Sequence, residues 1–246
     1  NDIAYFGQGT PTTQSVGPST SWYVEDMAMF MGEYDVAAAQ DLLENNVGLV
    51  MGDDGKYTFP DGSDLTLVIE YVAGNADAGL ELVAEQWNEA GLNTTVKLSN
   101  RDLYWPRAIG NQVMIPVWPT GSIFPLMNPD NLLAFNEKSF WAPQYGIWYQ
   151  TGGASGEEPP ESMKEGQAIL DEILATVDSE KQAELGRELV RDATENMWII
   201  NTTGKMPLPV LVKNNFKNVW ADPSYSASWI AMSPGNQDPS TYYFSS

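Results

Sequence analysis

Between Leu65 and Trp118 the apolar pattern changes period at every step. In "LTLVIEY", Leu65, Leu67, Ile69 and Tyr71 recur at every second residue, the repeat of a strand with one face turned inward. In "ADAGLELVAEQWNEAG", Leu80, Val83, Ala84 and Trp87 share one helical face, and Gly91 stands at the stop. "NTTVKLS" returns to a strand through Val96 and Leu98. "RDLYWPRAIG" predicts a short helix in spite of Pro106, and "QVMIPVW" a further strand ending at Trp118. Strands alternating with helices in this way predict a layered α/β fold. An earlier helix in "YDVAAAQDLLENNVG" takes Asp35 as its N-cap, Ala39, Leu42 and Leu43 as its apolar face and Gly48 as its end. The Asp-Gly pairs at 54–55 and 61–62 mark turns.

The flanks carry less periodicity. Residues 1–34 are loop-like and rich in Gly, Pro, Ser and Thr. Residues 119–160 read as one long Pro-, Gly- and aromatic-rich segment, the kind of loop that is functional when ordered. Within it, "FWAPQYGIWYQTGG" has no charge and holds Phe140, Trp141, Tyr145, Trp148 and Tyr149. Two helices are predicted next. One covers Glu161–Val177, with Ile169, Leu170, Ile173 and Leu174 apolar. The other starts at Ser179 with Gln182 three residues on, a capping-box pattern, and runs through Leu185, Leu189 and Ala193. "WIINTTG" and "PVLVK" read as late strands.

Composition excludes several function classes. A chain of 246 residues, 43% hydrophobic, suits one large domain or two small ones. A net charge of −21 repels nucleic-acid phosphate and anionic lipid, so no nucleic-acid partner is expected. The sequence has neither cysteine nor histidine. Thiol nucleophiles, Ser-His-Asp triads, His/Cys zinc sites and disulfides are therefore excluded. No apolar run approaches the ~18 residues of a membrane-spanning helix. Asn1–Thr10 lacks the basic start and apolar stretch of a signal peptide and reads as the interior of a longer chain.

Four features can carry chemistry. The rings of Trp118, Trp141, Trp148 and Tyr149 can stack on sugar rings or peptide groups, or can fill a core. The acid pairs Glu157–Glu158 and Asp53–Asp54 have the composition of glycoside-hydrolase or calcium sites, and equally of a helix lead-in and a turn. Arg101 and Arg107 flank the strand leading to Trp118 and suit an anionic ligand group or salt bridges. Asn93 and Asn201 each begin an Asn-Thr-Thr glycosylation sequon.

In their order and spacing, "YDVAAAQDLLENNVG", "DGSDLTLVIEY" with "GLELVAEQWNEAGLNTTVKL", "VMIPVWPTGSIFPLMNPDNLLAF", and "FWAPQYGIWYQTGGASGEEPP" with "NMWIINTTGKMPLPVLVKNNFKNV" resemble the extracellular solute-binding proteins of family 5. These are the dipeptide, oligopeptide, nickel and oligosaccharide receptors of ABC importers. The resemblance covers about residues 5 to 220. It implies an α/β, periplasmic-binding-protein type II-like fold, with this chain as the second, C-terminal lobe of a two-lobed protein. Residues 1–20 would be the connection from the first lobe, 21–205 the second-lobe α/β domain, and 206–246 the segment returning to the first lobe, with edges open to pairing.

It further implies a non-catalytic receptor without cofactor or metal. Its partners would be a peptide or oligosaccharide ligand and the permease subunits in the membrane. Its place would be periplasmic or extracellular, tethered to the membrane where the source has no outer membrane. The implied ligand-binding residues are Trp118, Trp141, Trp148, Tyr149 and Arg107. Two family handles for charged peptides are missing. An aspartate is expected three residues after the tryptophan, but Trp118 is followed by Pro119, Thr120 and Gly121; an arginine is expected three before it, where Ile115 stands. Neutral, stackable ligands such as oligosaccharides gain from this. The rival functions are a carboxylate-dependent glycoside hydrolase and a ligandless structural or signalling module of the same fold.

Overall fold

The computed structural model describes residues 2–74, 77–119, 125–204, 211–219 and 239–245. The chain opens with α1 (Asp2–Tyr5) and β1 (Thr10–Pro11) and then runs irregularly to α2 (Val36–Leu42). Asp35 caps α2 as expected, its Oδ1 accepting the Ala38 N–H at 2.9 Å. The helix widens into a π turn at Leu43–Val47 and stops at Gly48, whose φ of 81° is left-handed. The Asp54-Gly55 turn joins β2 (Val50–Met51) to β3 (Tyr57–Thr58).

The α/β layer follows: β4 (Thr66–Val72), α3 (Asp77–Glu89), β5 (Asn93–Ser99), α4 (Arg101–Ile109) and β6 (Ile115–Pro116). The three strands form a parallel sheet in the order β5-β4-β6, with Ile69 of β4 opposite Val96 on one side and Ile115 on the other. The alternation expected of β4 gives way to burial that deepens along the strand. From Ile69 to Val72 every residue is buried, as β4 is the central strand of the sheet. β6 is shorter than the pattern predicted; after Pro116 only the Val117 N–H continues the pairing, to the Glu70 carbonyl.

Residues 119–160 are more regular than their composition predicts. Residues 120–124 lie outside the described residues, but two 3-10 turns (Pro125–Met127 and Pro129–Asn131) and α5 (Pro143–Gln150) occupy much of the rest. Pro143 starts α5 with its φ already helical. The aromatic run hid this helix because its rings pack on several sides and leave no polar stripe to read. Gly146 lets α5 lie directly on the Asn136 backbone, where a Cβ would collide.

α6 (Glu161–Ala175) and α7 (Ser179–Glu195) form an antiparallel pair. The cap of α7 is Asp178 rather than Ser179, accepting the Lys181 N–H at 2.8 Å. Gln182 instead donates to the Ile173 and Thr176 carbonyls and ties the end of α6 to α7. Leu174, expected on the apolar face, is 61% exposed. Of the two expected late strands, "WIINTTG" contributes only β7 (Thr203–Gly204), paired with β1. Within "PVLVK", residues 209–210 lie outside the described residues and 211–213 are not a strand. β8 (Phe216–Lys217) pairs with β9 (Tyr243–Phe244). Most of the expected returning segment, 206–246, lies outside the described residues.

Among the described residues, two apolar clusters form the core. The larger joins Val16, Trp22, Val24 and Met27 to Leu132–Ala134 and to the facing sides of α6 and α7. The N-terminal stretch is thus part of this core from Gln14 onward. The smaller cluster sits at the carboxyl ends of the parallel strands: Val72, Tyr104, Ala108 and Phe140, with Trp105, Val113 and Trp118 against them. Trp141 packs on both.

Candidate functional site at the carboxyl edge of the sheet

All three strands of the parallel sheet end on the same side, and open α/β sheets bind ligands in the crevice beyond those carboxyl ends. A close aromatic group assembles there. Trp118 lies two residues beyond the end of β6 and is half-buried. Its ring stacks on Tyr104 (centroids 6.0 Å apart, planes 21°) and meets Trp105 edge-on at 4.6 Å. Trp105 in turn contacts Phe140 at 5.5 Å. The buried Tyr104 hydroxyl donates to the Val117 carbonyl at 3.0 Å, which fixes the backbone that presents Trp118. Burial holds that phenol well above its usual range, so it stays a donor at all ordinary pH. The Arg101 guanidinium lies 5.3 Å from the Trp118 ring centre, a cation–π contact.

Beneath this edge a charge is buried. The Glu70 side chain, on the central strand, is 3% exposed. Its carboxylate accepts from Ser99 Oγ at 2.5 Å, from Lys97 Nζ at 3.2 Å and from Arg107 Nη1. Burial pushes this carboxyl up, but the three donors and the guanidinium charge outweigh it, and the group titrates below its usual range. Arg107 also donates to the Gln112 carbonyl at 3.1 Å. Both guanidinium contacts are thus internal to the fold. Three of the chain's twelve lysines and arginines, Lys97, Arg101 and Arg107, gather at this edge of a strongly acidic protein.

Trp141 lies at the seam between the clusters. Its Nε1 donates to the Asp130 carbonyl at 2.7 Å and its ring stacks on Trp198 (6.4 Å, 23°). Asp130 Oδ1 and Trp198 Nε1 are buried with no hydrogen-bond partner among the described residues. Burial raises the Asp130 carboxyl to about 6.

Trp148 and Tyr149 are placed elsewhere, toward α6. Lys164 Nζ sits 5.6 Å from the Trp148 ring centre, and Gly153 packs beside that ring. The Tyr149 hydroxyl donates to Asp171 Oδ1 at 2.5 Å. The structure therefore brings together Trp118, Arg101 and, through Phe140 and the seam, Trp141. Arg107 lies one layer below, engaged by Glu70, and Trp148 and Tyr149 are in a different packing environment. Tyr104, Trp105 and Trp198 were not singled out from sequence, although the adjacent aromatics in "LYWP" on a short helix beside a Trp-terminated strand were a usable signal.

The acid pairs fall on the surface. Asp53–Asp54 form the β2–β3 turn, with Asp54 Oδ1 accepting the Lys56 N–H. Glu158 pairs with Lys164 on an exposed approach to α6. Among the described residues no group of three or more Asp, Glu, His or Cys is arranged to hold a metal ion, and no helix is long and apolar enough to cross a membrane.

Comparison with known proteins identifies the family. No curated protein matches the chain significantly. An oligopeptide-binding protein, OppA, aligns in structure with a TM-score of 0.77 at 24% identity, over 100% of this chain and 41% of its own. AppA from Bacillus subtilis, solved with a nonapeptide, gives 0.67 at 13% identity, over 100% of this chain and 44% of its own. MelB from Agrobacterium fabrum C58, solved with stachyose, gives 0.64 at 18% identity, over 78% and 29%. The chain thus spans less than half the length of these type II periplasmic-binding structures and has the mixed α/β architecture of one lobe of that two-lobed fold. Residues 1–141 match the model of the bacterial extracellular solute-binding proteins, family 5, middle region, and the chain belongs to that family.

Proposed function

We propose that this chain is part of the substrate-binding component of an ABC importer. The whole receptor captures an oligopeptide or oligosaccharide between two lobes, outside the cytoplasmic membrane, and delivers it to the permease. It performs no chemistry on its ligand; closure of the lobes is the event the permease reads. The observation that carries this reading is Trp118: a half-buried indole at the carboxyl edge of a parallel sheet, braced by Tyr104 and Trp105 and overlaid by Arg101. A ring braced in this way loses little freedom on meeting a ligand, which favours binding.

Trp118 and Trp141 are the ligand-facing rings in this proposal. Arg107 holds Glu70, and Trp148 and Tyr149 hold α5 on α6. Ile115, Pro119, Thr120 and Gly121 supply none of the charged handles of the peptide receptors, so the wall favours an oligosaccharide. Native mass spectrometry of the full-length receptor, purified without denaturation, tests this. A bound mass built of hexose or pentose units supports the sugar reading. A bound peptide overturns it and assigns the charged handles to the other lobe. A receptor that neither retains nor takes up either class overturns the transport proposal.

A further inference from the structure

Of the two Asn-Thr-Thr sequons in the sequence, the structure treats one as surface and the other as framework. Asn93 is the first residue of β5, two residues after the Gly91 turn that ends α3. Residues i and i+2 of a strand share a face. Asn93 and Thr95 therefore stand together, both exposed, while Thr94 between them turns inward and is 5% exposed. The Asn93 amide makes one hydrogen bond, from Nδ2 to Thr66 Oγ1 at 3.1 Å, on the exposed side of the sheet. Asn201 is half-buried where the chain approaches β7, and its Nδ2 donates to Ser15 Oγ at 3.1 Å and to the Thr13 carbonyl at 3.4 Å. A substituent on that nitrogen would pry the chain ahead of β7 from the N-terminal segment.

We propose that Asn93 is an N-glycosylation site and that Asn201 is not. The family to which the chain belongs is extracellular, which places it on the side of the membrane where lipid-linked oligosaccharide is transferred. In the transfer, Asn93 Nδ2 attacks the anomeric carbon of an oligosaccharide carried on a polyprenyl phosphate or diphosphate. The carbon–nitrogen bond forms, the carbon–oxygen bond to the lipid phosphate breaks, the lipid phosphate leaves, and one amide proton is lost to base. Thr95, whose hydroxyl makes a long 3.5 Å hydrogen bond to the Leu67 carbonyl, turns that hydroxyl to the transferase. The glycan would stand at the head of β5, which is an edge strand of its sheet among the described residues. Thr95, Lys97 and Leu98 along that strand are exposed, and a bulky hydrophilic group there blocks edge-to-edge pairing with another sheet.

Glycopeptide and intact-mass spectrometry of the full-length receptor, isolated from the cells that make it, decides the matter. The expected result is an oligosaccharide mass on the peptide containing Asn93 and an unmodified Asn201. Asn93→Gln and Thr95→Ala each abolish the added mass; Thr95→Ala keeps the asparagine and guards against a folding defect in the first variant. Thr95→Ser and Asn201→Gln retain it. An unmodified Asn93 in the native protein, or a glycan on Asn201, overturns the proposal.

Discussion

The two apolar clusters of this molecule are stabilised in different ways. The α6–α7 unit is closed by apolar packing and close approach: Trp22 lies flat over Gly186, where a Cβ would collide with the ring, and Met163, Ile173, Leu189 and Val190 are fully buried. The sheet unit has a smaller apolar cluster and a buried carboxylate fixed by two cations and a hydroxyl. Dry packing tolerates no added volume. In a buried ion network, loss of one partner leaves a desolvated charge. The region proposed to meet ligand is the one built on charge and on half-buried rings, where some surface stays open.

That contrast can be broken by substitution. The largest effect is expected from Gly186→Ala, and likewise Gly146→Ala, since each new Cβ meets a ring or a backbone that cannot withdraw. Urea denaturation should show a loss of about 3 kcal/mol or more; a change below about 1 kcal/mol would mean that the helices are less tightly closed than described. Next comes Arg107→Met, which leaves Glu70 with Lys97 and Ser99 alone. Because Arg107 is 33% exposed, we expect about 2–3 kcal/mol, below the full range for a buried pair.

The acid limb of the same network has a definite sign. Glu70 titrates below its usual value in the folded state, so its stabilisation is present above the unfolded pKa and is lost as pH falls through the folded one. Glu70→Gln should flatten the loss of stability in that acid range. An acid limb unchanged by the substitution contradicts the network's role.

In the helical unit the sign reverses at Asp192. Burial first, and then Glu165, Glu195 and Glu188, raise its carboxyl to about 6. Asn196 donates to its Oδ1, while its Oδ2 is buried without a partner among the described residues and lies against Gly166. A raised carboxyl favours the folded state when protonated, so this contribution is full below the unfolded value and fades as pH rises through about 6. Asp192→Asn should stabilise the protein by about 1–2 kcal/mol at pH 8 and by progressively less toward pH 4. Thermal melts at the two pH values check this, and equal shifts at both would contradict it. The smallest expected change is Tyr149→Phe, which removes one hydrogen bond to Asp171 at a loss of about 0.5–1.5 kcal/mol.

Much of the layered fold was legible because its periods are strong. The Asp35 cap, the Gly48 and Gly91 stops and the strands β4 and β5 all fall where local chemistry places them. What escaped was set by tertiary contact. α5 carries rings on several sides, so no amphipathic stripe announces it. α7 starts at Ser179 as expected, but Asp178 caps it, and Gln182 reaches back to the carbonyls of α6 rather than closing a capping box. At the site, Trp118 could be found from its place at a strand end. Its braces, Tyr104 and Trp105, depend on α4 folding back over that end. Glu70 alternates with the apolar residues of "LTLVIEY" and is buried all the same, because on the central strand it is engaged by Lys97, Ser99 and Arg107.

The central claim is that Trp118 faces the ligand. The direct test is calorimetric titration of the full-length receptor, wild type and Trp118→Ala, with the ligand that copurifies with it, alongside melting curves of both proteins. The account predicts that the variant stays folded and binds at least about tenfold more weakly, the loss of one well-braced stacking partner. An unchanged affinity in a folded variant would contradict it and move the ligand away from the carboxyl edge of this sheet.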